Sequence, residues 1–349
     1  DKADLFIAVT GSDELNMLSC FAAKKIGARH TVARVRNSEY NTASWGFMKQ
    51  QLEISMAVNP EKLAAEAIYD ILKLPSATKV ESFTARSFEM IEIIVKKGSA
   101  IDGMTLVDLR KKFSEKFLVC VVQRENDVFI PNGTFKVLSG DKIGVMVTND
   151  DAHSILKKFG YPAKEAKNIM LIGASKTALY LADMLIKGRS SVKIIEKDPE
   201  VCDIVCERLS SKASVVCGDG MSREILLEEG VDGLDALVAL TDRDEENILI
   251  SFYALSKQVQ KVIAKVNRNE LSSISENLGL ETTFSPKNIV ADILVRYARA
   301  IGNSIGSKVE TLYSLFGGNA EALEFKVRSD CSIINIPFKE LPTKPNILV

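Results

Sequence analysis

The residues best suited to chemistry lie in the second half of the chain, where predicted strands end. Glu196 follows the predicted strand VKII and could accept hydrogen bonds from both hydroxyls of a ribose. Gly173, Ser175 and Ala178 stand where a dinucleotide-binding loop has the pattern G-x-G-x-x-G, so only the glycine of the tight turn is present. Ser175 places a Cβ where a diphosphate approaches the backbone. We predict that Gly173, Ser175, Glu196 and Lys197 belong to a cofactor site that binds phosphate poorly.

Polar residues also follow the next two predicted strands. Asp219 comes after the run SVVCG, and Thr241 and Asp242 come after the run ALVAL. Because the carboxyl ends of parallel strands meet at one edge of a sheet, we expect these residues to share a crevice with the ribose-binding carboxylate. Asn247 is a further candidate for this site. Two ordinary roles stay open: Asp219 could be a turn residue, and Thr241 with Asp244 could cap the helix that follows.

The elements that must position these residues alternate between strand and helix. Short apolar runs predict the strands, and apolar residues at helical spacing predict the helices between them. In order, the predicted elements are strand 168–172, a helix over about 179–186, strand 192–195, a helix from Pro199 to about Ser210, strand 215–217, helix 222–229, strand 236–240 and a helix through Leu255. Such alternation predicts an α/β fold, with a parallel sheet and helices on both of its faces.

An internal repeat with a long period relates the two halves of the chain. Segment 4–37 aligns without a gap on segment 235–268, at an offset of 231 residues. A later segment that begins at Ser87 matches the stretch EALEFKVRSDCSIINIPFKEL at an offset of 232, which pairs Val95 with Val327. The repeat predicts two successive copies of one composite unit.

The first copy supplies candidate ligands of its own. These candidates are Thr10, Asp13, Asn16 and Arg34, of which the first three recur in the second copy as Thr241, Asp244 and Asn247. Arg34 could bind a phosphate through two parallel hydrogen bonds, whereas its counterpart Lys265 is a point charge. One interpretation is that the first copy binds a nucleotide and the second has become structural.

The repeat also predicts the domain organisation. We expect the C-terminal half of a first Rossmann domain over 1–84, a small β-α-β-β-β unit over 85–160, a second Rossmann domain over 165–312 and the start of a second small unit over 313–349. Segment 75–84 is expected to be a linker. The glycine loop of the first copy would precede Asp1, and the second small unit would continue beyond Val349. We therefore expect the sequence to be truncated at both ends.

Together these motifs resemble a known family. I-I-E-K-D-P closes the second strand of the Rossmann unit, C-G-D-G follows the third and A-L-T-D-x-D-x-x-N the fourth, and a repeated small unit comes after them. This combination resembles the TrkA-type regulators of bacterial potassium uptake, which are tandem RCK (KTN) proteins. The resemblance implies nucleotide-binding Rossmann (TrkA-N) domains, each followed by an RCK C-terminal (TrkA-C) domain. It also implies that NAD(H), ATP or ADP is bound as a regulatory ligand, with Asp219 on the adenine side.

The same resemblance implies a place of action and partners. Members of the family form a cytoplasmic homo-oligomer, from a dimer to a tetrameric ring, on the inner face of the cell membrane. The implied partner is a potassium-translocating membrane subunit of the TrkH or TrkG type, which nucleotide binding gates. The resemblance implies no catalytic residues. The alternative is a NAD-dependent oxidoreductase, which would require an acid or base near the nicotinamide and a substrate pocket.

Composition and the remaining polar residues argue against other classes of protein. Lys and Arg number 45 against 46 Asp and Glu, a formal charge of -1, so we expect no general attraction to nucleic acid. No run of about 18 apolar residues predicts a membrane span. Six cysteines are too sparse for a disulfide scaffold, as is usual in a reducing compartment. Cys202 and Cys206 lack a further ligand at metal-binding spacing, and neither His30 nor His153 has a neighbour that would make it a general base.

Overall fold

The computed structural model describes residues 3–37, 40, 43–83, 87–125, 127–162, 164–209, 213–303, 309–316, 320–325, 334–337, 340 and 347–348. Its first segment alternates strands and helices, as the sequence predicts. The elements are β1 Leu5–Ala8, α1 Asp13–Ile26, β2 His30–Arg34, α2 Ala43–Gln51, β3 Met56–Val58 and α3 Pro60–Lys73. The strands form a parallel sheet in the order β1-β2-β3. Asn59 caps α3 by accepting a hydrogen bond from the Lys62 N–H at 3.0 Å.

A five-stranded antiparallel sheet follows. Its elements are β4 Lys79–Phe83, β5 Phe88–Ile94, α4 Leu106–Lys112, β6 Phe117–Arg124, β7 Asp127–Phe129, β8 Lys142–Thr148 and α5 Asn149–Phe159, and its strand order is β4-β5-β8-β6-β7. Helices α4 and α5 share one apolar core with the sheet, which includes Leu109, Ile93 and Phe159. The expected linker over 75–84 is wrong in its second half, because β4 pairs along β5 and so belongs to this sheet.

The second large segment is a complete doubly wound sheet. Its elements are β9 Asn168–Ile172, α6 Lys176–Lys187, β10 Ser191–Glu196, α7 Pro199–Leu209, β11 Ser214–Cys217, α8 Arg223–Glu228, β12 Ala236–Ala239, α9 Asp244–Ser256, β13 Lys261–Lys265, α10 Asn269–Asn277, β14 Thr283–Phe284 and α11 Pro286–Asn303. All strand pairs are parallel, in the order β11-β10-β9-β12-β13-β14. The order reverses between β9 and β12, which makes this the switch point where ligands bind in such sheets. The predicted parallel-sheet fold is confirmed.

A final hairpin repeats the start of the small sheet. It consists of β15 Val309–Leu315 and β16 Ala320–Phe325, which pair antiparallel. Phe83 pairs with Phe88 across β4 and β5, and Leu315 pairs with Ala320 at the equivalent positions 232 residues later. The register of the two hairpins therefore agrees with the repeat, although Val327 lies outside the described residues. No helix within the described part of the chain is long and apolar enough to cross a membrane.

The two copies pack against each other through helix α3. Ile68 and Leu72 on α3 are almost fully buried in the same core as Leu181 and Leu185 on α6. The periodic apolar face of α3 predicts such packing, since a helix with one apolar face must cover it. Each fully buried leucine or isoleucine contributes about 1.5–3 kcal/mol. At the end of this contact the Asn59 amide donates a hydrogen bond to the Tyr180 hydroxyl at 3.3 Å.

A buried lysine at the start of β13 makes a second contact between the copies. Lys261 Nζ donates hydrogen bonds to the Ala77 carbonyl oxygen at 2.6 Å and to Thr282 Oγ1 at 2.7 Å. Burial lowers the pKa of Lys261 to about 7, while the Glu281 carboxylate acts to raise that pKa and Lys96 to lower it. A neutral amine has two N–H donors, which match these two acceptors. The side chain therefore fits its site in the uncharged form.

Candidate functional site

A crevice of about 340 Å³ opens at the carboxyl ends of β9, β10, β11 and β12. The residues that line it come from the ends of these strands and from the loops that follow them. They are Ile172, Gly173, Ala174, Ser175, Ile195, Glu196, Lys197, Asp198, Val201, Asp219, Gly220, Met221, Leu240, Thr241, Asp242, Arg243, Glu246 and Ile250. Seven of the eight candidates in the second copy are brought together here. Asn247 is not among the lining residues.

Gly173 allows two strand ends to approach closely at the floor of the crevice. Its φ of +91° lies in the left-handed region, which favours glycine. A Cβ at this position would lie 3.1 Å from the Thr241 backbone nitrogen and 3.2 Å from the Leu240 carbonyl carbon. The one glycine that the loop retains is therefore required by the packing of β9 against β12.

Glu196 holds the loops together through its carboxylate. Oε2 accepts a hydrogen bond from the Ala174 N–H at 2.7 Å, and Oε1 accepts from the N–H groups of Lys197 and Asp198 at 2.8 and 3.0 Å. A carboxylate offers about four acceptor positions, of which these bonds use three. One position on Oε2 stays available to a ribose hydroxyl. Recognition of both hydroxyls would require the loop to give up a backbone bond.

Ser175 is the N-cap of α6, because its hydroxyl accepts a hydrogen bond from the Ala178 N–H at 3.4 Å. In nucleotide-binding loops, the N–H groups at a helix N-terminus bind the phosphate. Here a serine hydroxyl already bonds to one of these groups, and the serine Cβ narrows the approach. Poor phosphate binding at this loop stays a prediction.

Asn247 is a buried structural residue, which corrects its assignment as a ligand. Its Oδ1 accepts from the N–H and the hydroxyl of Thr241 at 2.9 and 2.8 Å. Its Nδ2 donates to the Thr241 and Lys265 carbonyl oxygens at 3.1 and 2.9 Å. Every polar position of the amide is used, and the residue is 0% exposed. Asn247 therefore fixes the ends of β12 and β13.

The first copy contains the same network. Asn16 Oδ1 accepts from the N–H and the hydroxyl of Thr10, both at 2.7 Å, and its Nδ2 donates to the Thr10 and Arg34 carbonyl oxygens at 3.2 and 3.0 Å. Asn16 is also 0% exposed. Arg34 directs one guanidinium nitrogen to the Thr10 carbonyl oxygen at 2.5 Å. Asn16 and Thr10 thus join the ends of β1 and β2, and Asn16 has no polar group left for a ligand.

Two aspartates at equivalent positions anchor the loops after β2 and β13. Asp13 Oδ2 accepts from the N–H groups of Arg36 and Asn37, both at 2.8 Å. Asp244 Oδ2 accepts from Asn267 and Arg268 N–H groups, both at 3.0 Å. Burial acts to raise the pKa of Asp244, but these hydrogen bonds outweigh it and lower the pKa below its usual value.

Helices α1 and α9 differ in how their N-termini are capped. Ser12 caps α1 by accepting from the Leu15 N–H at 3.2 Å. Arg243 occupies the cap position of α9 and makes no side-chain cap bond. The capping interpretation of Thr241 and Asp244 is therefore wrong. Asp219 does accept a bond within its own turn, from the Met221 N–H at 2.9 Å, and also faces the crevice.

The crevice is acidic, which sequence reasoning missed. Its lining carries five carboxylates and two cations; the residues not predicted are Asp198, Arg243 and Glu246. Arg243 pairs with Glu246 at 2.9 Å, and Lys265 approaches Asp242 from outside the lining at 3.1 Å. The sequence contained a signal for these residues, since Asp198 and Arg243 lie in loops that were already assigned to the site and Glu246 lies in the first turn of α9, directly after such a loop. Excess negative charge opposes the binding of a polyphosphate.

Comparison with known families identifies the chain. The TrkA-N domain model matches residues 1–60 and 169–286, and the TrkA-C domain model matches residues 90–160. The chain belongs to the TrkA family. It is 30% identical over 350 residues to the Trk system potassium uptake protein TrkA homolog of Archaeoglobus fulgidus, covering 100% of this chain and 77% of that protein. It is also 30% identical to the TrkA homolog 1 of Methanosarcina mazei, covering 97% of this chain and 83% of that protein.

Solved structures agree with a TrkA fold built from RCK domains. The RCK domain of GsuK is similar with a TM-score of 0.60 at 15% identity, over 86% of this chain and 62% of that one. The GsuK channel is similar with a TM-score of 0.63 at 16% identity, over 89% of this chain and 54% of that one. These likenesses confirm the expected RCK architecture, and the family matches confirm the predicted resemblance to TrkA.

Proposed function

We propose that the chain is a nucleotide-responsive regulatory subunit of a potassium uptake system. The observation that carries this proposal is the position of α6. Its N-cap Ser175 lines the crevice, and its apolar face packs against α3 of the other copy. If the two copies adopt two relative orientations, a ligand that binds α6 more tightly in one orientation would favour that orientation. Occupancy of the crevice would thereby change the contact between the two halves.

The proposed ligand is an adenine nucleotide, NAD(H) or ATP/ADP. Glu196 would accept a ribose hydroxyl, and its charge would repel the 2'-phosphate of NADP. Asp219 would face the adenine side, with Gly173, Lys197, Thr241 and Asp242 completing the walls. One similar structure, with a TM-score of 0.61, is described as a GsuK channel bound to NAD. Because the lining is acidic, we expect NADH to bind more tightly than ADP, and ADP more tightly than ATP.

The proposed partner is a potassium-translocating membrane subunit, on whose cytoplasmic side this chain would assemble as a dimer or tetrameric ring. Support comes from the names of the relatives, which are potassium uptake proteins.

We propose that each copy comprises a Rossmann unit and a small unit, and that all of the predicted boundaries hold except the first. The first boundary moves ahead of Lys79, because β4 pairs within the small sheet.

Titration calorimetry of the full chain with NADH, NADPH, ADP and ATP tests the ligand. Glu196→Ala removes an acceptor of a charged hydrogen bond, worth about 1.5–3 kcal/mol, so affinity for the preferred nucleotide should fall about tenfold or more. Glu207→Ala is the matched control, since Glu207 is an exposed carboxylate on α7 outside the lining. Equal loss in both variants, or no nucleotide binding in the wild type, would contradict the site.

Two further measurements test the role. In cells that lack other potassium uptake and express the membrane partner, Glu196→Ala should change the nucleotide dependence of uptake, and Glu207→Ala should not. The oxidoreductase alternative predicts steady NADH oxidation with small carbonyl compounds. Turnover above the protein-free rate would contradict a purely regulatory role.

A further inference from the structure

Three of the six cysteines lie together at the outer wall of the crevice. Cys202 and Cys206 are one turn apart on α7, and Cys217 is the last residue of β11. Cys202 is 6% exposed, whereas Cys206 and Cys217 are exposed. The neighbouring residues Val201 and Asp219 line the crevice itself. A change in the bonding of these thiols would therefore act on α7 and β11 at the wall of the site.

Backbone hydrogen bonds bring Cys202 next to Cys217. The Glu196 carbonyl oxygen accepts from the Cys202 thiol at 3.3 Å and from the Gly218 N–H at 2.8 Å. Glu196 is also the register partner of Cys217 across β10 and β11. The Cys202 sulfur thus shares one acceptor atom with the residue that follows Cys217. Cys202 and Cys217 therefore lie on adjacent elements at the same end of the sheet, on either side of the Glu196 carbonyl group.

The two thiols differ in reactivity. Burial raises the pKa of the Cys202 thiol to about 12, and the proximity of Cys217 adds to this effect. Since the thiolate is the form that attacks oxidants, Cys202 is protected from direct oxidation at neutral pH. Cys217 is open to solvent and is therefore the first target. Solvent access and a second cysteine close by are two features of reversible redox sites.

We propose that Cys217 and Cys202 form a reversible disulfide when the protein meets a hydroperoxide. In the first step the Cys217 sulfur attacks hydrogen peroxide, which breaks the O–O bond and gives Cys217 sulfenic acid and one water. In the second step the Cys202 sulfur attacks the sulfenic acid, and the hydroxyl leaves as water with the Cys202 proton. The net change is two thiols and one peroxide to one disulfide and two waters. A dithiol reductant reverses it.

The disulfide would join α7 to β11 covalently and remove the thiol donor from the Glu196 carbonyl. In a reducing compartment such bonds are transient and serve as sensors. The disulfide can be detected whether or not a nucleotide is bound, because the experiment measures the S–S bond itself. Cys206 lies one turn further along α7 and provides an internal comparison.

Peptide mapping of the full chain tests the pairing. The protein is treated with hydrogen peroxide, remaining thiols are blocked with N-ethylmaleimide, and the chain is digested with trypsin. Cleavage after Lys197, Arg208, Lys212 and Arg223 yields the peptides DPEVCDIVCER and ASVVCGDGMSR. We expect one disulfide-linked pair of these peptides, which disappears on treatment with dithiothreitol. Because the first peptide holds both Cys202 and Cys206, variants assign the bond.

Cys206→Ser should retain the linked pair at the wild-type yield. Cys202→Ser and Cys217→Ser should each lower its yield at least tenfold, and in Cys202→Ser the sulfenic acid of Cys217 should accumulate and react with dimedone. Circular dichroism of each variant confirms that it is folded. Linkage that persists in Cys202→Ser, or a wild-type protein in which Cys217 is oxidised and no linked pair forms, would overturn the proposal.

Discussion

Replacement of Lys261 by methionine should change how the stability of the protein depends on pH. Methionine keeps the length of the side chain and removes the ionisable amine. The pKa of Lys261 is about 7 in the folded chain, against 10.5 for the ordinary side chain. Between these values the unfolded chain binds more protons than the folded chain, so stability rises with pH. The cost of burying the charged form is fully present below pH 7 and is relieved as the pH rises towards 10.5.

The size of the change in stability with pH follows from the difference between the two pKa values. A full proton of difference gives a slope of about 1.4 kcal/mol per pH unit. Because the amine is about half protonated at pH 7, the gain between pH 7 and pH 8 should be about 1 kcal/mol. Lys261→Met should lack this gain. It should also leave the Ala77 carbonyl without its donor, at a cost of about 1–3 kcal/mol at any pH.

Urea unfolding followed by circular dichroism, at several pH values between about 6.5 and 9, measures both effects. Lys187→Met, which removes an exposed lysine from α6, is the control and should keep the wild-type slope. The difference between wild type and Lys261→Met should be smallest at the lowest pH, where the wild type carries the buried charge. If Lys261→Met keeps the wild-type slope, the assignment of a neutral buried amine is refuted.

Two further predictions concern the buried asparagines and the glycine loop. Asn247→Ala should lower the free energy of unfolding by about 3 kcal/mol, because it leaves buried backbone groups without partners, and Asn16→Ala should cost a similar amount; a urea-measured loss under about 1 kcal/mol in either variant would contradict the structural role. Ser175→Gly should cost only a few tenths of a kcal/mol and raise the affinity for ADP at least about threefold in calorimetry, since it clears the phosphate path. Ser175→Ala keeps the Cβ and should show no such gain, so equal affinities in the two variants would count against steric exclusion.

The doubly wound sheet could be predicted because its strands are almost purely apolar. Strands β9 and β12 are buried along nearly their whole length, and such runs identify themselves in a sequence. Strand β4 could not be identified in this way. Its Lys79 and Glu81 alternate with other residues and pair with each other at 3.1 Å, while Arg296 of α11 reaches Glu81 at 3.3 Å. Strand β4 is thus stabilised in part by Arg296, which lies more than 200 positions away in the sequence. No local sequence pattern indicates such a contact.

The location of the site could be predicted from the sequence better than the roles of its individual residues. Parallel strands bring their carboxyl ends together, so Gly173, Glu196 and Asp219 could be placed in one crevice from the sequence. The role of Asn247 depends on burial, which sequence spacing does not give. A signal did exist, since Thr241 and Asn247 recur as Thr10 and Asn16 at the same spacing. The hydrogen bond from the Cys202 thiol on α7 to the Glu196 carbonyl oxygen at the end of β10 joins separate elements and required the structure.

The apolar face of α3 has a consequence for synthesis of the protein. Ala65, Ile68 and Leu72 are covered by α6, which begins about 100 residues after α3 ends. At about 5–20 residues per second, a growing chain exposes this face for roughly 5–20 s before its partner helix is made. During that interval α3 presents an uncovered hydrophobic surface to chaperones and to neighbouring nascent chains. The first half of the chain therefore cannot complete its core until α6 in the second half has been synthesised.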